Sequence, residues 1–318
     1  MPIIKSQFRP AWWLRGAHAQ TLWAEFFRPK VKLTIERQRV ELPDGDFIDL
    51  DWSGPEQGRT VLLLHGLEGS IHSDYIRGVM RELNQRGFRT CLMHFRGCSN
   101  EPNRLVEWYH SGKSDDPQLI TETLRDQMGI EIYAAIGFSL GGNVLLKWLG
   151  EQGDKILLQR AAAMSVPFHL EQAAQRMDKG FSRIYQRFLV GTMKQSYKDK
   201  FTVISSPLNV DVDAIENFWQ FDDQITAPLH GFKGADDYYS CASSRQFIPK
   251  IHVPTLILHA ADDPFMYTHT PPGEDELPDN VWLELPEHGG HVGFISGVIP
   301  GLANYWGESR LAEWIDSG

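Results

Sequence analysis

A serine between two glycines has the setting in this chain that best suits covalent chemistry. It is Ser139, in the segment Gly-Phe-Ser-Leu-Gly-Gly at residues 137–142. The apolar run before it, residues 130–138, predicts a buried strand, and the segment after it, residues 141–150, predicts a helix. A G-x-S-x-G pattern in this context is typical of a nucleophile elbow, a sharp strand-to-helix turn that exposes the serine hydroxyl.

The glycines of this segment have a steric role. Gly137 and Gly141 lack side chains that would collide at so sharp a turn. The backbone at Ser139 also begins a helix, where free N–H groups favour a developing negative charge. The pattern therefore predicts Ser139 as a nucleophile.

A serine hydroxyl becomes a good nucleophile when a base takes its proton. In proteins with this elbow, an acid and a histidine follow later strands, in the chain order Ser, Asp, His. The predicted strand at 253–260 runs into Asp262 and Asp263, and the predicted strand at 281–286 runs into a segment with two histidines, residues 287–294. Both required positions are therefore filled, in the required order.

Each of these loops offers two candidates. We predict Asp263, the carboxylate directly before a proline, as the acid, with Asp262 as the alternative. We predict His291 as the base, because two glycines before it permit a close approach to the serine and the apolar residues after it would hold the ring. His288 is then expected to cap or hydrogen-bond nearby backbone.

An acyl-transfer site also needs N–H donors for an oxyanion. The expected donors are the N–H of Leu140, directly after the nucleophile, and that of Leu67, in the loop after the predicted strand at 60–65. His65 is expected to hold this loop by side-chain hydrogen bonds.

A zinc site is the alternative use of the histidine pair His288 and His291. Zinc needs at least a third ligand at ligand spacing, and no HExxH motif or cysteine cluster supplies one. We therefore predict neither a metal nor a cofactor.

The elements that must position these residues alternate along the chain. Residues 33–53 predict a β-hairpin, after which strands and helices alternate to about residue 166. Continuous apolar strands separated by helices predict an α/β fold with a mostly parallel sheet covered on both faces. The stretch after it is helical and predicts a cap inserted into the sheet domain. The predicted divisions are a core in residues 1–166 that includes an arm in 1–32, a cap in 167–245, and the rest of the core in 246–318.

The cap contains an amphipathic helix whose apolar residues recur at helical spacing. They are Phe181, Ile184, Tyr185, Phe188 and Leu189. A cap over Ser139 would line an acyl pocket, so we predict the three aromatic residues of this face, together with Trp219, as substrate-binding residues. The opposite face carries Arg183 and Arg187, and it predicts a weak contact of the cap with lipid surfaces.

Composition narrows the function classes. With 42% hydrophobic residues and ten tryptophans, the 318-residue chain can bury a large core. Its formal net charge of −10 argues against a nucleic-acid binder, which needs a basic stripe. Three cysteines outside CxxC spacing fit reduced thiols, and the N-terminus lacks the pattern of a secretory signal. No apolar stretch approaches the roughly 20 residues of a membrane-spanning helix, so we expect a cytoplasmic protein.

Six segments together resemble the YheT-type α/β-hydrolases. They read LLLHGLEGS, HFRGCS, YHSGKSDD, GFSLGGNVLLKWLGE, ADDPF and EHGGHVGF. The arm at 16–29 is also similar to the N-terminal signature of this family, which is related to eukaryotic lipid hydrolases and yeast medium-chain acyl-ester synthases/hydrolases. The resemblance implies an α/β-hydrolase fold with Ser139, Asp263 and His291 at the charge-relay positions, and it leaves the substrate open.

We therefore expect a serine hydrolase that cleaves carboxylic esters with short- to medium-chain acyl groups through an acyl-enzyme. Its partner would be a small-molecule or lipid ester. The alternatives are transfer of the acyl group to an alcohol, a monoacylglycerol-type lipase, and a catalytically silent binding protein. His110 and Asp115 have the H-x4-D spacing associated with some acyltransferases. Here we expect them to order the loop before a helix.

Overall fold

The computed structural model describes residues 2–318. Its strands are β1 (Ile3–Ile4), β2 (Glu36–Glu41), β3 (Phe47–Ser53), β4 (Thr60–Leu64), β5 (Arg89–Met93), β6 (Ile132–Phe138), β7 (Arg160–Met164), β8 (Thr255–Leu258), β9 (Val281–Glu284), β10 (Ile295–Ser296) and β11 (Asn304–Tyr305). Its α-helices are α1 (Ala17–Phe27), α2 (Asp74–Gln85), α3 (Asp115–Met128), α4 (Leu140–Gln152), α5 (Leu170–Met177), α6 (Ser182–Val203), α7 (Phe218–Phe221), α8 (Ala227–Leu229), α9 (Ala235–Ala242) and α10 (Trp306–Asp316).

Nine of the strands form one twisted sheet in the order β1-β9-β8-β7-β6-β4-β5-β3-β2. All neighbours from β1 to β5 in this order pair in parallel. The predicted hairpin of β2 and β3 adds antiparallel pairs at one edge. The predicted α/β class with a mostly parallel central sheet flanked by helices is confirmed.

The central strand β4 shows why the strands are continuously apolar. All five of its residues are buried, and alternate side chains point to opposite faces of the sheet. Val61 and Leu63 pack in a cluster with residues of α2 and α10, whereas Leu62 and Leu64 pack with residues of α3 and α4. Two faces covered by helices leave no solvent side for polar residues, so the alternation of an exposed strand is absent from β4.

Five helices, α5 to α9, lie between β7 and β8, in the stretch predicted as the cap. The segment from α7 to α8 runs through a π-helical turn at Asp222–Thr226. The division of the chain into core and cap at residues 167 and 245 stays a prediction.

The N-terminal arm is more ordered than its sequence indicates. Strand β1 pairs in parallel with β9 at the edge of the sheet. Helix α1 is tied to the chain after β9 by Gln20, which is fully buried. The amide of Gln20 donates to the carbonyl oxygens of Leu14 (2.7 Å) and Ile295 (2.9 Å), and its Oε1 accepts the N–H of Ile295 (2.6 Å). The arm is thereby fixed beside the loop that carries His291.

Within residues 2–318, none of the helices combines the length and the apolar character that crossing a bilayer requires.

Candidate active site

Ser139 occupies the turn between β6 and α4 with φ 51° and ψ −118°. A positive φ is unusual for a residue other than glycine and marks local strain of the kind found at functional sites. A Cβ atom at Gly137 would overlap the backbone of Gly141, and one at Gly141 would overlap the carbonyl oxygens at the end of β4. The turn therefore has the geometry of the predicted elbow, with the glycines needed for close backbone approach.

The three residues predicted for acid, base and nucleophile lie in one hydrogen-bonded row. His291 Nε2 is 2.9 Å from Ser139 Oγ, and His291 Nδ1 is 2.8 Å from Asp263 Oδ2. They follow β6, β8 and β9, whose carboxyl ends meet at the same edge of the parallel sheet. An imidazole in this position can accept the serine proton while the carboxylate orients the ring.

Two residues that the sequence did not single out hold His291 in place. The N–H of His291 donates to Thr21 Oγ1 on α1 (2.9 Å). Its ring stacks on Phe265, with centroids 4.0 Å apart and planes 11° apart. The N–H of Phe265 donates to Asp263 Oδ1 (2.9 Å), which leaves the other carboxylate oxygen for the histidine. Thr21 therefore fixes the backbone of His291, and Phe265 and Asp263 fix its ring.

The two alternative residues, Asp262 and His288, pair with each other. Asp262 Oδ2 lies 3.2 Å from His288 Nδ1, and Asp262 Oδ1 accepts the N–H of Gly290 (2.9 Å). Among the described residues, neither side chain hydrogen-bonds Ser139. Asp262 thereby holds the glycine turn that leads into His291, and His288 contacts that turn through this carboxylate and not through the backbone contact expected from the sequence.

The predicted oxyanion donors lie beside the nucleophile. Leu67 and Leu140 line the same cavity as Ser139. On either side of Leu67, the N–H groups of Gly66 and Glu68 donate to tyrosine hydroxyls at 2.9 and 3.0 Å. Within residues 2–318, the N–H groups of Leu67 and Leu140 donate to no other group. Both are therefore available to a ligand in the cavity.

His65 orders the loop after β4 and does not hydrogen-bond Ser139, His291 or Asp263. Its Nδ1 lies 2.7 Å from the carbonyl oxygen of Gly66, and its Nε2 accepts the N–H of Phe95 (3.1 Å). These partners fix the tautomer with the proton on Nδ1. Burial lowers the pKa of His65 to about 3, so the ring is neutral and orders the start of the loop, as expected from the sequence.

The cavity at Ser139 holds about 910 Å³ of space free of atoms, part of it open to solvent. Its walls are mainly apolar side chains, to which the cap contributes most. The cap residues among them include Leu170, Met177, Leu189, Met193, Phe218 and Phe221. A site with apolar walls and few polar groups is typical of small-molecule binding.

The four residues predicted to bind substrate do not line this cavity. Phe181, Phe188 and Trp219 are exposed, and the Trp219 indole donates to an aspartate at 3.1 Å. Tyr185 is buried, but its ring packs on Phe265 and its hydroxyl lies 3.1 Å from His18 Nδ1. Helical spacing shows which residues share a face of a helix but not what that face contacts. In the structure, Phe181 and Phe188 of this face are exposed to solvent.

Part of the cavity lining is polar. The rings of His110 and His230 lie there with centroids 4.5 Å apart. His110 Nδ1 accepts the N–H of Gly112 (3.1 Å), which places the proton on Nε2. Burial lowers the pKa of both histidines, that of His230 to about 4. Two neutral imidazoles therefore offer hydrogen-bonding groups to a ligand. Asp115 pairs with Lys113 (2.7 Å), so the H-x4-D spacing does not produce a His–Asp pair.

Asp222 also lines the cavity, and the sequence analysis did not single it out. Its two oxygens accept hydrogen bonds from Thr226 Oγ1 (2.7 Å) and the Tyr239 hydroxyl (2.8 Å). Burial is the largest influence and raises the pKa of Asp222 to about 6, although both hydrogen bonds act to lower it. One sequence signal could have found it: Asp222 directly follows the aromatic-rich segment Phe218–Phe221. Such a segment is expected to be buried, which would bury the carboxylate too.

We expect Asp222→Asn to remove a pH dependence of stability. The pKa of Asp222 rises from 3.8 to about 6 on folding, so the native state holds a proton that the unfolded chain releases. The contribution of this group to stability therefore falls as the pH rises from about 4 to about 6. Asparagine cannot ionise, so the variant should gain up to about 3 kcal/mol relative to wild type across this window. Urea unfolding at several pH values measures this, and parallel stability curves would contradict it.

Three comparisons place the chain among known proteins. Residues 59–298 match the family model described as "alpha/beta hydrolase fold". The chain is 41% identical over 317 residues to "Putative esterase YheT" of Escherichia coli (strain K12), with 98% of this chain and 93% of that protein covered. It is 30% identical over 263 residues to "Monoacylglycerol lipase" of Saccharomyces cerevisiae, with 79% and 57% covered.

One further relative and one solved structure are also similar to this chain. "Phospholipase ABHD3" of Bos taurus is 27% identical over 317 residues, which cover 96% of this chain and 77% of that protein. The solved structure of the Pyrococcus furiosus esterase Pf2001 superposes with a TM-score of 0.60 at 16% identity, covering 90% of this chain and 91% of the other. At that identity the likeness shows the fold alone.

Proposed function

The chain belongs to the alpha/beta hydrolase fold family and is a carboxylic ester hydrolase, and we propose that it works through Ser139, His291 and Asp263 as a catalytic triad. The predicted resemblance to YheT-type hydrolases is confirmed by the 41% identity. One observation carries the proposal for the triad: the hydrogen-bonded row from Ser139 Oγ through the imidazole to Asp263, beside a largely apolar cavity.

The geometry supports a two-step reaction. Ser139 Oγ attacks the carbonyl carbon of the ester while His291 Nε2 takes its proton, and Asp263 stabilises the imidazolium. The carbonyl oxygen becomes an oxyanion that the N–H groups of Leu67 and Leu140 bind. His291 then gives the proton to the leaving alcohol oxygen as the C–O bond breaks, which leaves an acyl-enzyme.

Water completes the cycle. His291 removes a proton from a water molecule, whose oxygen attacks the acyl carbonyl of the acyl-enzyme. The second tetrahedral intermediate collapses, the bond to Ser139 Oγ breaks, and the histidine returns the proton to the serine. The product is the carboxylic acid. An alcohol in place of water would give acyl transfer, and partition of the acyl-enzyme between water and added ethanol measures which of the two dominates.

We propose short- to medium-chain acyl groups as substrates, because the cap supplies apolar walls next to Ser139. Each methylene buried contributes about 0.8 kcal/mol, so kcat/KM should rise about fourfold per methylene until the cavity is full. A series of p-nitrophenyl esters of increasing acyl length tests this. Absence of turnover across the series, together with absence of labelling by a fluorophosphonate probe, would contradict the proposed function.

A monoacylglycerol-type lipase is the second candidate, and the polar part of the cavity lining favours it. His110 and His230 could bind the free hydroxyl groups of a glycerol ester, and the chain resembles a relative named "Monoacylglycerol lipase". For this candidate, His230→Phe should lower kcat/KM for a monoacylglycerol by about tenfold, the effect of losing about one hydrogen bond. The methyl ester of the same acid should lose much less, and equal losses would count against the candidate.

We also infer a cytoplasmic location and a weak contact of the cap with lipid. Cys91, Cys98 and Cys241 are free thiols, which a reducing compartment favours. Arg183 and Arg187 are exposed on α6, as an electrostatic contact with anionic headgroups would require.

A further inference from the structure

A second surface of the protein has the composition of a lipid-binding face. Large apolar side chains are normally buried, and a concentration of exposed ones marks an interaction site. Six of them lie in the N-terminal arm and in the loop between β10 and β11. They are Trp12 (58% exposed), Phe26 (69%), Phe27 (64%), Val298 (82%), Ile299 (58%) and Leu302 (65%). We call this set the arm patch.

Contacts join the two segments of the arm patch into one surface. The indole of Trp12 donates to the carbonyl oxygen of Val298 (2.9 Å). The ring of Phe27 stacks on Trp23 at 4.6 Å. Trp23 and Ala303, the neighbour of Leu302 in the loop, pack against the same buried cluster, which contains Ile295. Exposed apolar residues that are distant in sequence are therefore held side by side.

Helix α1 connects the arm patch to the cap. Near its first turn, the ring of His18 lies 4.5 Å from that of Phe181, at the start of α6. Phe181, Ile184 and Phe188 are all exposed there. The last residues of α1, Phe26 and Phe27, belong to the arm patch. Helix α1 thus has the arm patch at its C-terminal end and the exposed apolar residues at the start of α6 near its N-terminal end.

The segments that carry the arm and the start of α6 have a net charge opposite to that of the whole chain. The chain has 31 Lys and Arg against 41 Asp and Glu. Residues 1–32 nevertheless contain six basic residues and one acidic residue, and residues 176–188 contain four and one. In the arm, five of the six basic side chains are exposed. These are Lys5, Arg9, Arg15, Lys30 and Lys32.

We propose that the arm patch docks the protein on an anionic lipid surface. Exposed aromatic side chains enter the interface between headgroups and acyl chains, and flanking Lys and Arg residues bind the phosphates. Charge complementarity favours an anionic lipid surface as the binding partner of the arm patch. The remainder of the protein is strongly acidic and would be repelled by such a surface. The docked face would then be the one that carries α1 and the start of α6.

Docking at this face would bring lipid close to the proposed active site. Thr21, in the middle of α1, accepts the N–H of His291, and Tyr185 at the start of α6 packs on the Phe265 ring that stacks on His291. The inference that ester substrates arrive from the lipid layer rests on the proposed function. The docking itself does not, because binding is measured without turnover.

Co-sedimentation of the full chain with vesicles tests the proposal. Wild type should bind vesicles of equal parts phosphatidylcholine and phosphatidylglycerol, and raising the salt from 0.05 to 0.5 M should weaken binding at least tenfold, as expected when cations bind phosphates. Phosphatidylcholine vesicles should bind much less. The double variant Phe26→Ser/Phe27→Ser should lose at least tenfold in binding to the mixed vesicles.

The matched control is Leu157→Ser, which changes an apolar residue of similar exposure (61%) outside the arm patch. It should bind like wild type. Equal binding by the double variant and the control, or no binding by wild type, would overturn the proposal. A concentration-dependent dimer that the double variant abolishes, without vesicle binding, would assign the patch to a second copy of the chain instead. Turnover of a soluble ester by all these proteins reports separately on the proposed function.

Discussion

Ser139→Ala is expected to lower ester turnover by about 10⁵-fold or more while leaving the fold intact. The substitution removes the nucleophile, so no acyl-enzyme forms. The base then has no serine proton to accept, and the N–H donors have no oxyanion of a serine adduct to bind. The unusual φ of 51° at this position is no harder for alanine than for serine, because both carry a Cβ atom. The measurement is kcat/KM for a p-nitrophenyl ester, together with the mass shift produced by a fluorophosphonate probe.

Ser165→Ala is the matched control for this variant. Ser165 is also buried, also has a positive φ (55°), and lies near the site, where its Oγ accepts the N–H of Val292 (3.0 Å). Its loss removes one hydrogen bond, worth about 1 kcal/mol, so activity should fall by about tenfold at most. If the probe still labelled the Ser139→Ala protein, the nucleophile would be a different residue.

The sheet and the row of site residues could be predicted because their signals are local. The apolar runs of β4, β6 and β8 are continuous since each strand is buried on both faces. The elbow is encoded within residues 137–142, where backbone overlap leaves glycine as the fitting residue. Parallel strands bring their carboxyl ends to one edge, so the loops after β6, β8 and β9 had to be neighbours.

Contacts across long sequence separations could not be predicted in the same way. Thr21 accepts a hydrogen bond from a residue 270 positions away, and nothing in its own segment indicates that partner. Strand β1 has two residues, too few for a period to be recognised. For α6, the spacing of the aromatic residues predicts that they share one face. Which face of the helix is buried depends on the residues that the rest of the fold places beside it. The core takes Tyr185 and Met193 and leaves Phe188 in solvent.

The second large effect is expected at the pair of His291 and Asp263, which contacts Ser139, and not at the pair of His288 and Asp262. His291→Ala should lower kcat by about 10⁴-fold or more, and Asp263→Asn by about 10³- to 10⁴-fold, since the first removes the base and the second its orientation. His288→Ala and Asp262→Asn are the matched controls, with the same residue types in the same loops. They should lower kcat by less than about tenfold.

The controls should instead show their effect in stability. Asp262 accepts the N–H of Gly290 and pairs with the partly exposed His288, so its loss weakens the glycine turn by about 1–2 kcal/mol, measurable as a lower Tm. The reverse pattern, with large losses of kcat at Asp262 and His288, would assign base and acid to that pair.

Double variants separate a shared mechanism from independent damage. If Ser139 and His291 act as one unit, Ser139→Ala/His291→Ala should be no less active than Ser139→Ala alone, because a base without a nucleophile to activate contributes nothing. His288 acts through the backbone turn, so adding His288→Ala to Ser139→Ala should still lower Tm by the amount seen in the wild-type background. A further large fall in turnover for the first double variant would mean that His291 serves a reaction that does not pass through Ser139.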